Sequence, residues 1–181
     1  LSGWQPGFTY YFKPGAGYLG GNFFFSSPIN DKIIRFIDDE KLAIRDMLIH
    51  HLAVSAIVMV KKKVCNCILH PGVRQAAHKA IAVKVQKELQ WCIENIDGVF
   101  REKIEAEYAM LMSEKHHKPE FTESFKLIRG LLEQEKVKIL IMNGKNDVST
   151  SDYAEGCNII VGGNTLGRGV TFPALHTIYY T

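Results

Sequence analysis

Several features are scarce or missing in this chain, and each narrows what it can do. There is no Gly-x-x-x-x-Gly-Lys-Ser/Thr loop and no Asp-Glu pair placed at a strand end to hold magnesium. Taken alone, the chain is therefore not expected to hydrolyse ATP, and no catalytic residue is assigned. Eight of the 19 acidic residues fall on two charged stretches read as exposed helices, residues 102–114 and 120–135, so cleavage by a metal-dependent nuclease site is not expected of this segment. The four cysteines, Cys65, Cys67, Cys92 and Cys157, lie inside apolar patterns and not in a loop framework. That excludes a disulfide scaffold and reads as reduced core thiols of a cytoplasmic protein. The best candidate for a membrane span, residues 42–60, is interrupted by Arg45, Asp46, His50 and His51, so no membrane contact is expected. Internal repeats and low-complexity tracts are also missing.

What is present is a chain of 181 residues with 46% hydrophobic content, enough for one domain with a full core. The 22 Lys and Arg against 19 Asp and Glu give a net charge of +3, which permits a nucleic-acid partner without arguing for one. Leu1 is not an initiator methionine, and Thr181 closes a run, residues 176–180, that reads as a core strand. A segment of a longer parent chain is the expectation.

Residues 1–37 are read as an aromatic and glycine-rich linking segment, with clusters at Tyr10-Tyr11-Phe12 and Phe23-Phe24-Phe25; it either faces a ligand or packs its rings on a neighbouring lobe. Residues 38–181 form the α/β domain. Asp38 or Asp39 can cap a helix running to about Ala56 on Leu42, Leu48, Leu52 and Ala56. The basic turn Lys61-Lys62-Lys63 either touches a phosphate or is simply solvated. Val64 through His70 reads as a buried strand ended by Pro71-Gly72, and a helix follows on Ala77, Ile81, Val85, Leu89, Cys92 and Ile96. Cys65-x-Cys67-x-x-His70 is not read as a metal site, because alternation puts His70 on the other face of the strand from both thiols.

Two amphipathic helices, residues 98–117 on Phe100, Ile104, Tyr108 and Leu111 and residues 121–135 on Phe121, Phe125, Ile128 and Leu132, predict a helical insertion over about 97–136. The pairs His50-His51 and His116-His117 are read as solvent-exposed helix residues. Residues 137–142 resume the sheet and stop at the turn cluster Asn143-Gly144-Lys145-Asn146-Asp147, with one helical turn near 151–154 before the next strand.

Strands separated by helices imply a mainly parallel sheet whose strands all end on one edge, where ligands bind. Three endings then converge: His70 with Pro71-Gly72, Asn143-Gly144, and Gly162-Gly163-Asn164-Thr165. The last is a glycine-punctuated polar loop; its glycines permit positive φ and close approach of a ligand, and its amides, hydroxyl and guanidinium suit a phosphate.

The run Gly162-Gly163-Asn164-Thr165-Leu166-Gly167-Arg168-Gly169-Val170-Thr171-Phe172, with Leu175 and Ile178-Tyr179-Tyr180, resembles the signature of the Z1 domain. That family occurs in endonucleases of restriction-modification type and is similar to the second, RecA-like motor lobe of superfamily 2 helicases. The run stands where those helicases carry motif V: Arg168, Gly169 and Val170 fit, whereas Thr171 replaces a common aspartate and Gly163 a common threonine. The resemblance implies a lobe that grips a DNA backbone through Gly163, Asn164, Thr165, His70 and Asn143. Arg168, Gly169 and Thr171 would face the nucleotide cleft or hold the loop. It also implies ATP and magnesium in the parent but no cofactor in this segment alone, DNA and a first motor lobe of the same parent as partners, and an arginine-bearing motif VI after Tyr180. Two alternatives stand beside it: a scaffold lobe that binds a partner protein, and a glycine-loop cofactor enzyme, whose loop must open a helix.

Overall fold

The computed structural model describes residues 37, 42–72, 74–111, 119–143, 148–163, 166 and 172–180. Outside these lie the aromatic and glycine clusters before residue 37, Asp38, Asp39, His116, His117, and the turn residues 144–147. The element order is α1 (Ala43–Val58), β1 (Val64–His70), α2 (Gln75–Glu94), α3 (Val99–Met110), α4 (Phe121–Glu133), β2 (Val137–Met142), a 3-10 turn (Thr150–Tyr153), β3 (Gly156–Gly162) and β4 (Leu175–Tyr180).

Each element follows from local chemistry. β1 is a continuous apolar run released at Pro71, which has no N–H to continue a ladder. In α2 the residues at spacings of three and four, Val85, Leu89 and Cys92, are buried while the intervening lysines are not. The 3-10 turn is fixed by a reciprocal cap: the Ser149 backbone N–H donates to Asp152 Oδ2 at 2.7 Å. α1 departs from expectation at its start. Its N-cap is Leu42, without a side-chain cap, so neither Asp38 nor Asp39 holds that position.

The four strands form one all-parallel sheet in the order β2-β3-β1-β4. Alternation gives it two differently covered faces. Cys67, Leu69, Cys157, Ile159 and Val161 pack under all four helices in the main core, where Leu48, Leu52, Phe100, Ile104 and Ile128 are fully buried. A core leucine of this kind contributes roughly 2–5 kcal/mol. On the opposite face Leu140, Met142 and Ile160 are covered by Val148, Tyr153, Leu166 and Phe172 from the loops. Right-handed crossovers demand this division: the step from β1 to β2 passes over β3 one way, and the step from β3 to β4 passes over β1 the other way.

Four expectations change. Among the described residues β4 is an edge strand and not a core strand: Ile178 and Tyr180 are 51% and 70% exposed. The helices α3 and α4, read as exposed, are exposed on one face only, because their apolar stripes pack on α1 within the main core. Their acids are correspondingly not all solvated; Glu107 is buried, with its Oε1 2.7 Å from His50 Nδ1. His51 is fully buried and not solvent-exposed, because α1 lies between the sheet and the helices α3 and α4. The same sandwiching explains why α1 is apolar nearly all round, and among the described residues no helix is long and apolar enough to cross a membrane.

Candidate nucleic-acid interface

Because β1, β2 and β3 run parallel and in register, their carboxyl ends lie level. Met142 sits beside Gly162, and Val161 beside Leu69. Asn143, Gly163 and His70 therefore arrive side by side at one edge in the order β2, β3, β1, with Tyr180 of β4 beyond. The sheet's chain direction also reverses there: β1 continues onto the helical face and its neighbour β3 onto the loop face. Such a switch point opens a crevice outside the strand ends, the usual ligand position in parallel sheets. Asn164, Thr165, Arg168, Gly169 and Thr171 lie outside the described residues.

The base of this crevice is closed by the chain itself. A methyl group placed on Gly163 would lie 2.8 Å from the Gly72 carbonyl oxygen and 3.1 Å from His78 Nε2. On Gly162 it would lie 2.7 Å from the Met142 carbonyl oxygen and 2.9 Å from Leu166 Cγ. Neither glycine has a positive φ; Gly72 does, at 86°. The paired glycines thus serve close internal approach, and the left-handed conformation expected of them belongs to the facing turn. The Leu166 N–H then returns to the Gly163 carbonyl at 2.9 Å, starting the loop with a tight turn.

His78, in the first turn of α2, is the functional candidate that sequence reasoning missed. It is 2% exposed, and its Nε2 lies 2.9 Å from the Gly72 carbonyl. A carbonyl only accepts, so Nε2 carries the proton, and Nδ1 has no hydrogen-bond partner among the described residues. The available signal was its spacing, six residues after a glycine at a strand-to-helix turn. His70 takes a different role: its Nδ1 faces the Gly72 N–H at 3.4 Å and its ring lies 5.4 Å from that of Tyr180. Asn143 is only 9% exposed, so it borders the crevice more than it projects into it. The first turn of α2 carries no acid that would repel an anion at this edge.

A second concentration of polar groups lies within the core. Cys157 Sγ is 3.4 Å from His51 Nε2 and 3.3 Å from Ser55 Oγ. Burial pushes the Cys157 thiol up to about 12 and, with the neighbouring His50 and His176, the His51 imidazole down to about 3. Both groups are therefore neutral and the thiol is unreactive. Among the described residues no three His, Cys, Asp or Glu side chains are grouped to hold a metal ion. Asn66 and Asn158 are paired across β1 and β3: Asn158 Nδ2 donates to Asn66 Oδ1 at 2.8 Å, and Asn66 Nδ2 donates to the carbonyls of Pro173 at 2.6 Å and Tyr153 at 3.1 Å. The connection from β3 to β4 is thus tied at Gly163 at one end and at Pro173 at the other.

An all-parallel α/β lobe with a glycine-floored crevice at its switch point is the class that fold and site define. The chain belongs to the Z1 domain family, whose model matches residues 28–181. Comparison with curated proteins and with solved structures returned no match.

Proposed function

We propose that this chain is the lobe of a DNA-dependent ATPase, helicase-like and of restriction-modification type, that grips the DNA phosphate backbone and completes an ATP cleft. The observation that carries the reading is the arrival of Gly163, His70 and Asn143 at one carboxyl edge, with Asn164 and Thr165 next in sequence after Gly163. Amides and hydroxyls at such an edge hold phosphate oxygens and fix position without reading sequence. Arg168, Gly169 and Thr171 would border the nucleotide or hold the loop. In this reading ATP and magnesium lie between this lobe and a first motor lobe of the same parent, acting in the cytoplasm. A partner-binding scaffold is the second reading, favoured by the exposure of Ile178 and Tyr180 on one face of β4.

The test is ATP hydrolysis by the full-length parent, with and without duplex DNA, beside a Thr165→Ala, Arg168→Ala variant whose melting is unchanged. DNA-stimulated turnover that collapses in the folded variant is expected. A parent that turns over no ATP with any DNA refutes the motor and leaves the scaffold.

A further inference from the structure

We infer that the amino edge of the sheet, opposite the crevice, is a second surface for a nucleic-acid backbone. It is built by Lys61, Lys62 and Lys63 before β1 and by Lys136 and Lys138 at the start of β2. These groups are some 75 residues apart in sequence, and parallel pairing brings them to the same edge: Lys63 accepts from the Gly156 N–H at 2.8 Å through its carbonyl, and Val137 is level with Cys157 on the other side of β3. β1 and β2 are two strand spacings apart, about 10 Å. His176, at the start of β4, extends the line by one more strand.

All five lysines are exposed, and among the described residues none is in an ion pair. The acids near this edge do not offset them in full. Arg129 is shared between Asp97 and Glu133, and Asp152 keeps its charge within the Ser149 cap, so Glu135, Glu155, Asp152 and one carboxylate of the Arg129 group stand against five ammonium groups. The chemistry favours phosphate over an acidic protein. Lysine is depleted from protein interfaces, which are organised around buried aromatic and arginine anchors, whereas solvated lysines are what a phosphate backbone recruits. A duplex offers one charge per about 1.7 Å of axis, so an edge of this width faces several phosphates.

The experiment is fluorescence anisotropy of a labelled duplex and a labelled single strand with the full chain, from about 50 to 200 mM salt. The variant is Lys62→Gln, Lys63→Gln, Lys136→Gln, Lys138→Gln, with its fold checked by melting. Each lost phosphate contact lowers the slope of log K against log salt by about 0.9 on duplex, so a fall of about 2–4 is expected. An unchanged slope in the folded variant overturns the inference, as does polyglutamate competing as strongly as DNA at equal charge. Thr165→Ala separates the two edges: if it leaves binding intact while the lysine variant weakens it, the carboxyl-edge grip fails and the amino edge stands.

Discussion

Replacing Gly163 by alanine tests whether the crevice floor is as closely built as the distances state. The new methyl carbon would lie 2.8 Å from a backbone carbonyl and 3.1 Å from an imidazole nitrogen that is itself buried and bonded to that carbonyl. Gly72 and β3 must separate, or His78 must rotate away. Overpacking of this kind costs about 1–3 kcal/mol, and losing the His78 hydrogen bond adds about 0.5–1.5, so a destabilisation of about 2–4 kcal/mol is expected. Urea unfolding with an unchanged m-value measures it. Two companions isolate the cause. Gly72→Ala meets no atom within 4 Å but sits at a φ of 86°, so it carries backbone strain alone, about 1–2 kcal/mol. In a His78→Ala background the methyl regains the ring's volume, so part of the Gly163→Ala cost should vanish, with a coupling above about 0.5 kcal/mol. A Gly163→Ala chain within about 0.5 kcal/mol of the parent, with strict additivity to His78→Ala, would refute the closed floor.

The core makes two further predictions. His51 is neutral in the folded chain with its pKa lowered to about 3, against 6.5 when unfolded, so below pH 6.5 only the unfolded state gains its proton. Its neutral burial therefore supports stability fully above pH 6.5, and that support declines by about 1 kcal/mol per pH unit as pH falls towards 3. A His51→Leu chain should lose less stability between pH 7 and pH 4.5 in urea titrations, and parallel curves would show that His51 is not buried neutral. Asn66→Ala removes the donor shared by the carbonyls of Tyr153 and Pro173 and takes the side-chain acceptor from Asn158 Nδ2, which keeps only the Glu155 and Gly156 carbonyls; a loss of about 2–4 kcal/mol is expected from chemical denaturation. A change under about 0.5 kcal/mol would mean that the Asn66–Asn158 pair tethers nothing.

Much of the scaffold is legible from sequence because its signals are local. β1 is bounded by a lysine turn and by Pro71-Gly72, and the stripe through Val85, Leu89 and Cys92 admits only one helical face. The parallel sheet is legible in the step from strand β1 to helix α2, and parallel pairing suffices to bring Gly163, His70 and Asn143 to one edge. What was not legible depends on partners distant in sequence. His51 looks solvated as half of a histidine pair, yet its Nε2 meets Cys157 Sγ of β3, 106 residues further along the chain. Glu107 reads as a surface acid until α1 places His50 against it. Asn66 and Asn158 read as interruptions in apolar strands, since their need for amides is met only by each other and by loop carbonyls. At the site, the glycines signal a tight turn but not what presses on them; His78 supplies that pressure from another element.

The interleaved strand order also sets a timetable for folding. β1 leaves the ribosome before either of its sheet neighbours, β3 and β4, and the Asn66–Asn158 pair alone spans 92 residues. At about 5–20 residues per second, the central strand waits about 5–20 s for its first partner. During that interval the apolar side chains of α1 and β1 can collapse upon the helices α2 to α4, which follow β1 directly. The helical layer therefore acts as an internal holding surface during synthesis, and the sheet closes after it. Pairings this distant in sequence place the lobe among slow folders.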